Sequence, residues 1–516
     1  MNTDKHGLES GSPERPAEKP VEKPKRKLSW KMMVLIVIFG LVIVLGSTYI
    51  IWLVVAKNRF KKAYEKVQAL RDVIEPIAGQ EENAPGNGGA HLRDLMGTPG
   101  LKDLDDKLSD FRREKNQGGI SQAITIWAEN HYRWIQSIKK CREFELFTFK
   151  RDLNQGFSMP MPELSQIRGF FRVHGHYLKE LARRGDYANY QDLVAGLTHL
   201  QQRYEDPLLI SGLVRMSCHT IYSGNINDSL VHIRDSSVLE WLTKELSFEP
   251  IPVDYYQRLF QGEAWMVSVW MESGTAWDMY QALSGFHGTS RSKMQQALTR
   301  ALFGLCAPYV WQEKANCLEY SLVFVDALEG SYPEFEKWQK LNRQRYAEGL
   351  GALLSGILFE NHMKAAEERF RTNNKQPCLL AVIRIHKYYL ENGELPASLV
   401  DIEYYKKNGV PVDPRLGNPL AYKVFPKPFC FRVKELGEDG KDSGVWLEPV
   451  LDSATGEYEH RPFGWSIERN ASGVKAEENI FGVDYYLLDP KPAKPPVPPA
   501  PPASEAPVKE PGRKKK

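Results

Sequence analysis

The chain has 516 residues, 42% of them hydrophobic and 26% charged, which is typical of a folded protein with two or three domains. Its net charge of +3 combines basic ends, +3 over residues 1–31 and +5 over residues 490–516, with a body of −5. A mildly acidic body argues against a nucleic-acid partner. The six cysteines form no CxxC pair, which excludes zinc ribbons and thioredoxin-like motifs.

The N-terminal part predicts a tail followed by a membrane anchor. Residues 1–29 are rich in Pro, Glu and Lys and are expected to be disordered. Residues 32–56 contain no charge in 25 positions, and at about 1.5 Å per residue they exceed a hydrocarbon core of about 30 Å. We therefore predict a transmembrane helix over residues 30–57. A cleavable signal peptide is the alternative, but the apolar run is too long for one.

The direction of insertion does not follow from the charges. Six lysines and arginines lie shortly before the apolar run and six lie shortly after it, so the positive-inside rule has no preference. We expect the commoner arrangement of such anchors, with the N-terminus in the cytoplasm and the body in the periplasm or outside. The expected location is the inner (cytoplasmic) membrane.

Residues 58–78 form a predicted juxtamembrane helix. Its apolar residues recur at spacings of three and four, as in a short heptad seam: Phe60, Ala63, Val67, Leu70, Ile74 and Ile77. The seam over residues 60–77 can join two copies in a homodimer, or it can pack on its own domain. Pro76 weakens its last turn. The Gly- and Asn-rich residues 79–100 that follow predict a flexible linker.

Residues 101–375 have a helical pattern. Two apolar stripes recur every three or four residues, Leu164, Ile167, Phe171, Leu178 and Leu181 in one, and Leu193, Leu197 and Leu200 in the other. Gly185–Asp186 separates the two helices. Because no repeat has a fixed period, the prediction is an irregular helical array of antiparallel hairpins. The fold class is therefore mainly α.

Residues 376–489 change character. A helix over residues 378–390 is stopped by Asn392–Gly393, and short strands are predicted over residues 421–424, 429–433 and 445–447. Residues 490–516 form a proline-rich, basic tail that is expected to be disordered and to sample polyproline II.

The segment from Cys378 to about Gly444 resembles the globular domain of type II secretion pseudopilins. The resemblance rests on the helix that ends in YYLENG, on LPASL after it, on DPRLGNPLAY from Asp413, and on GEDGKDSG from Gly437. It implies a small C-terminal α+β module in a bacterial envelope protein. The apolar helix lies far upstream and contains no glutamate, unlike that of a pilin, so the resemblance implies the module's fold and not filament formation.

The resemblance also implies a calcium site. Pseudopilins bind calcium near the equivalent of residues 437–444, where Asp439 and Asp442 would supply carboxylate oxygens. A solvated hairpin turn without a metal is the alternative. No other cofactor is expected.

Other candidate residues have simpler interpretations. His174 and His176 are two residues apart and would point to different faces of a helix. The run from Trp265 to Met271 could line an apolar groove, but core packing is the simpler interpretation. Cys306 and Cys317 could form a disulfide, with buried free thiols as the alternative. The sequence contains no HExxH, GxSxG, Walker or Rossmann motif, so no catalytic residue is assigned.

Two functions fit these observations. The first is a membrane-anchored envelope scaffold that binds a protein partner, associated with a secretion or surface assembly, because helical arrays bind through extended surfaces. The second is an anchored hydrolase of envelope polymers with a carboxylate pair that the sequence does not reveal.

Overall fold

The structure is a computed structural model that describes residues 30–114, 117–273, 306–347, 353–413, 417–426, 429–434 and 482–487. The chain divides between Val55 and Ala56 into an N-terminal unit and a larger body. Helices dominate the described residues, as the sequence predicts. The predicted tails, residues 1–29 and 490–516, lie outside the described residues.

The first helix is also the most apolar. Helix α1 (Trp30–Gln68) has a mean hydropathy of 2.8 over its most apolar stretch, and that stretch is exposed. Within the described part of the chain it is the one helix that is long and apolar enough to cross a membrane. It also extends beyond the predicted end at residue 57, because the apolar seam continues its helical periodicity without a break as far as Gln68.

The body contains fourteen further described α-helices. In chain order they are α2 (Arg71–Ala78), α3 (Gly89–Met96), α4 (Leu101–Arg113), α5 (Gln117–Asn130), α6 (Tyr132–Ser137), α7 (Glu163–Arg184), α8 (Tyr187–Arg203), α9 (Leu209–Leu230), α10 (Ser236–Glu245), α11 (Val253–Ser273), α12 (Ala307–Ala327), α13 (Tyr332–Tyr346), α14 (Leu353–Asn392) and α15 (Glu403–Asn408). Short 3₁₀ turns cover Ile138–Glu143, Leu153–Ser158 and Leu399–Asp401.

The main core contains α7, α8 and α9 at its centre. Both predicted stripes are buried there, from Leu164 to Leu181 on α7 and from Leu193 to Leu200 on α8. Gly185 ends α7 with a φ of 71°, and the Asp186 side chain accepts a hydrogen bond from the Asn189 amide to begin α8. The predicted junction is therefore confirmed, and it follows the usual chemistry of helix ends.

Residues 79–100 differ from the predicted flexible linker. They contain α3, whose Leu92, Leu95 and Met96 are buried in the main core. The buried Asn87 side chain accepts hydrogen bonds from the amides of Gly89 and Thr148, at 2.9 and 3.1 Å. A Cβ on Gly89 would lie 2.2 Å from the Thr148 carbonyl oxygen. The glycines and asparagines that resemble a linker in the sequence therefore permit close packing.

The predicted boundary between residues 375 and 376 falls inside a helix. Helix α14 is continuous from Leu353 to Asn392 although it contains Pro377. Its first half belongs to a second, aromatic core with α11, α12 and α13, and its second half belongs to the main core. Contacts on both sides of Pro377 offset the hydrogen bond that proline cannot make. The helix ends at the predicted place, since Gly393 has a φ of 76°.

The described strands form one small antiparallel sheet in the order β1 (Ala421–Pro426), β2 (Phe429–Lys434), β3 (Gly482–Leu487). The first two match predicted strands, whereas β3 was not predicted. The predicted strand at residues 445–447 lies outside the described residues. Leu420 and Val433 are buried in the main core, and the Tyr422 hydroxyl donates to the Pro396 carbonyl at 3.0 Å.

A buried ion cluster connects distant parts of the body. Arg151 lies within 2.5 Å of both Glu163 at the start of α7 and Asp206 before α9, and all three side chains are at most 3% exposed. The Arg151 amide also donates to the Ala78 carbonyl at the end of α2. Burial raises the pKa of Asp206, although Arg151 opposes the rise. The guanidinium is thus needed to hold two buried carboxylates.

We expect Arg151→Ala to lower the free energy of unfolding by about 3–5 kcal/mol, because it leaves buried carboxylates without a counter-charge. Denaturant unfolding of the detergent-solubilised chain measures this loss. The matched control is Arg113→Ala, whose side chain is 80% exposed and whose loss should stay below about 1 kcal/mol. Equal losses in the two variants would contradict the role of the cluster.

Candidate functional site

The residues that follow the apolar run are part of the body's interior. The last three turns of α1 place Phe60, Ala63 and Val67 in a groove between α11 and α12, where all three are buried. The groove is lined by Ala264, Val267 and Met271 of α11 and by Val310, Cys317 and Leu318 of α12. We call this surface the α11–α12 groove.

The Phe60 ring has a specific partner. It meets the Trp311 ring edge to face, with centroids 5.1 Å apart. The ammonium group of Lys314 lies 4.9 Å from the Trp311 centroid and donates to the Met271 carbonyl. That carbonyl is in the last turn of α11, where cations are favourable. An edge-to-face aromatic pair of this kind adds about 0.5–1.5 kcal/mol to the energy of apolar burial.

Polar contacts fix the register of α1 in the groove. The Arg59 guanidinium donates to both carboxylate oxygens of Glu319, at 2.6 and 3.2 Å, and to the Asn316 side chain at 3.2 Å. The Tyr64 hydroxyl donates to Glu272. A bidentate arginine–carboxylate pair is directional, so a shift of α1 along the groove would break it. The arrangement is that of a helix held in a groove.

This packing bears on the predicted seam over residues 60–77. Four of its residues are buried in their own chain, namely Phe60, Ala63, Val67 and Ile74. This is the arrangement expected if the seam packs on its own domain. A homodimer through the same face would first have to separate these side chains from the body.

The aromatic core contains a histidine without a polar partner. The His362 ring lies 4.8 Å from Phe260, 5.4 Å from Tyr320 and 5.3 Å from Phe324, measured between centroids. Neither ring nitrogen has a hydrogen-bond partner in the described part of the molecule. Burial lowers the pKa of His362 to about 3. The ring is therefore neutral and acts as part of the packing.

The other described candidate residues from the sequence do not meet in a common site. His174 bonds to the Phe170 carbonyl and His176 contacts Arg112, so the two rings diverge as expected. Trp265, Met266 and Val267 are buried in the cores. Cys306 and Cys317 are both free thiols, with Cys306 exposed and Cys317 buried.

The predicted calcium ligands, Asp439 and Asp442, lie outside the described residues. Among the residues that are described, no group of three or more His, Cys, Asp or Glu side chains could hold a metal.

The α11–α12 groove does not follow from the sequence. In the sequence Arg59 is one of the six basic residues shortly after the apolar run, and its partner Glu319 is 260 residues away along the chain. Lys314 of α12 is only 4% exposed, but its polar neighbours in the sequence, Glu313 and Asn316, give no sign of this burial. Comparisons with known proteins found no family model, no curated protein and no solved structure that matches this chain. A function for this chain is therefore inferred from the geometry of the molecule.

The buried histidines predict acid sensitivity. Burial lowers the pKa of His219 to about 3 and of His174 to about 4, as it does that of His362. The unfolded chain binds these protons near pH 6.5. The contribution of these neutral histidines to the free energy of unfolding is therefore fully present above about pH 6.5. It falls as the pH drops towards 3, because only the unfolded state gains protons in this range.

Acidification from pH 7.5 to pH 5 should lower the free energy of unfolding of His362→Phe by about 2 kcal/mol less than that of the wild-type protein. The variant lacks one histidine that is protonated only in the unfolded chain. Denaturant unfolding of both proteins at the two pH values measures this, and the pH 7.5 pair serves as the packing control. An equal acid loss in both proteins would show that His362 is not responsible.

Proposed function

We propose that this chain is a single-pass protein of the inner membrane whose helical body is a scaffold for a protein partner in the cell envelope. The N-terminus lies in the cytoplasm and the body lies on the opposite side. The observation that carries the proposal is the packing of residues 56–68 in the α11–α12 groove. Residues 56–68 are therefore part of the body and not a free stalk.

Three carboxylates of the body that are paired with arginines also favour a scaffold. Glu163 and Asp206 are held by Arg151, and Glu180 is held by Arg183 and Arg184. A hydrolase needs a carboxylate pair that can exchange protons with substrate and water. Glu163 and Asp206 instead join separate parts of the chain through Arg151, and Glu180 also accepts a hydrogen bond from Ser121 of α5. A body of this kind binds through its surface.

The C-terminal part of the proposal is a pseudopilin-like α+β module that caps the array of helical hairpins or docks the partner. Two features support it. A helix that ends at Asn392 precedes an antiparallel sheet, which is the order that the resemblance implies. Residues of this sheet share the main core with Leu379 and Ile383 of α14.

Cys306 offers a test of location, because it is exposed whereas Cys141, Cys218, Cys317 and Cys378 are buried. We expect a membrane-impermeant maleimide to modify Cys306 in intact cells whose outer membrane has been removed. The experiment uses a Cys430→Ser background, and adding Cys306→Ser should abolish the signal. Modification only after lysis would place the body in the cytoplasm and contradict the proposed location.

The existence of the proposed protein partner can be tested with the full chain. After extraction in mild detergent, the full chain is expected to elute with a second polypeptide at a fixed ratio, measured by light scattering and mass spectrometry. Chemical cross-linking before extraction preserves weak complexes. A chain that elutes alone under both conditions would contradict the scaffold proposal.

A further inference from the structure

The side of α1 that faces away from the α11–α12 groove is basic. Its lysines are Lys57, Lys61, Lys62 and Lys66, and all four are exposed. On a helix of 3.6 residues per turn Lys61 and Lys62 face away from Phe60, Ala63 and Val67, whereas Lys57 and Lys66 lie at the two edges of the packed face, three residues from Phe60 and Ala63. The groove therefore fixes the rotation of the helix: Lys61, Lys62 and Lys66 are exposed to solvent, and the ammonium of Lys57, also exposed, lies 5.5 Å from the centroid of the Trp311 ring.

The neighbouring arginines are neutralised by the protein, but the lysines are not. Arg59 is paired with Glu319 at 2.6 Å, and Arg71 is paired with Glu75 at 2.8 Å. Lys61 has only a loose contact with Glu65, at 3.9 Å between two exposed groups. Such a pair contributes little. The lysine face thus keeps most of its positive charge in a body that is acidic overall.

The position of the lysines in the chain points to their partner. Lys57 directly follows the uncharged run of residues 32–56. At about 1.5 Å per residue, Lys66 lies about 15 Å beyond the end of that run. The lysine side chains therefore begin at headgroup depth and extend through the zone of the membrane surface potential, which decays over about 8–10 Å.

We propose that Lys57, Lys61, Lys62 and Lys66 form a binding surface for anionic lipid headgroups. The inference rests on the proposed anchoring of α1 in a membrane. The bound groups are phosphates of lipids such as phosphatidylglycerol, which lysine contacts as a point charge. Packing of Phe60, Ala63 and Val67 in the groove fixes the rotation of the helix. Because the four lysines lie close together in the chain, all four act on the same membrane surface.

The test uses the full chain reconstituted in phosphatidylcholine bilayers with spin-labelled phosphatidylglycerol or phosphatidylcholine as the probe. Wild-type protein should immobilise the phosphatidylglycerol probe preferentially, and added salt should reduce this preference. The preference for phosphatidylglycerol should fall at least about fivefold in a variant that carries Lys57→Gln, Lys61→Gln, Lys62→Gln and Lys66→Gln. A fivefold change corresponds to the contribution of one lysine at an anionic surface.

The matched control replaces four other exposed lysines, Lys337, Lys340, Lys406 and Lys407, with glutamine. It changes the net charge equally and should keep the preference. Equal association of both lipids with the wild-type protein, or an unchanged preference in the first variant, would overturn the inference and leave the lysines to an acidic protein partner. Release of the chain from the bilayer by alkaline carbonate would instead contradict the anchoring itself.

Discussion

The packing of Phe60 in the α11–α12 groove is the contact on which the account of this protein depends. It joins the residues after the apolar run to two helices of the body, and the Arg59–Glu319 pair fixes the register. Burial of a phenylalanine and a valine gives roughly 1.5–3 kcal/mol each. That energy exceeds what an exposed ion pair provides, so apolar burial holds the helix and the polar contacts orient it.

Buried polar groups have a second role in the body. Arg151 joins α2, α7 and the segment before α9 through one side chain, and His362 fills a space between three aromatic rings. Both are stable only in one protonation state, because a change would leave an uncompensated group in the interior. The buried histidine therefore makes the body sensitive to acid, whereas Arg151 keeps its charge at low pH.

Local features of the fold could be predicted from the sequence, and long-range ones could not. The α7–α8 junction follows from Gly185 and Asp186, whose chemistry acts within a few residues. The groove depends on Phe60 and Trp311, which meet only in the folded chain. The prediction of a linker over residues 79–100 is wrong for the same reason. Asn and Gly are common both in flexible turns and at closely packed positions such as Asn87 and Gly89, and only the contacts of the folded chain distinguish the two.

Hydrogen exchange of the full chain in detergent tests the central claim most directly. If residues 56–68 belong to the body, their amides should be protected as strongly as those of α11 and α12 and should lose protection together with them as denaturant is added. Rapid exchange of residues 56–68 while α11 and α12 remain protected would show that they form an independent stalk, and would contradict the account.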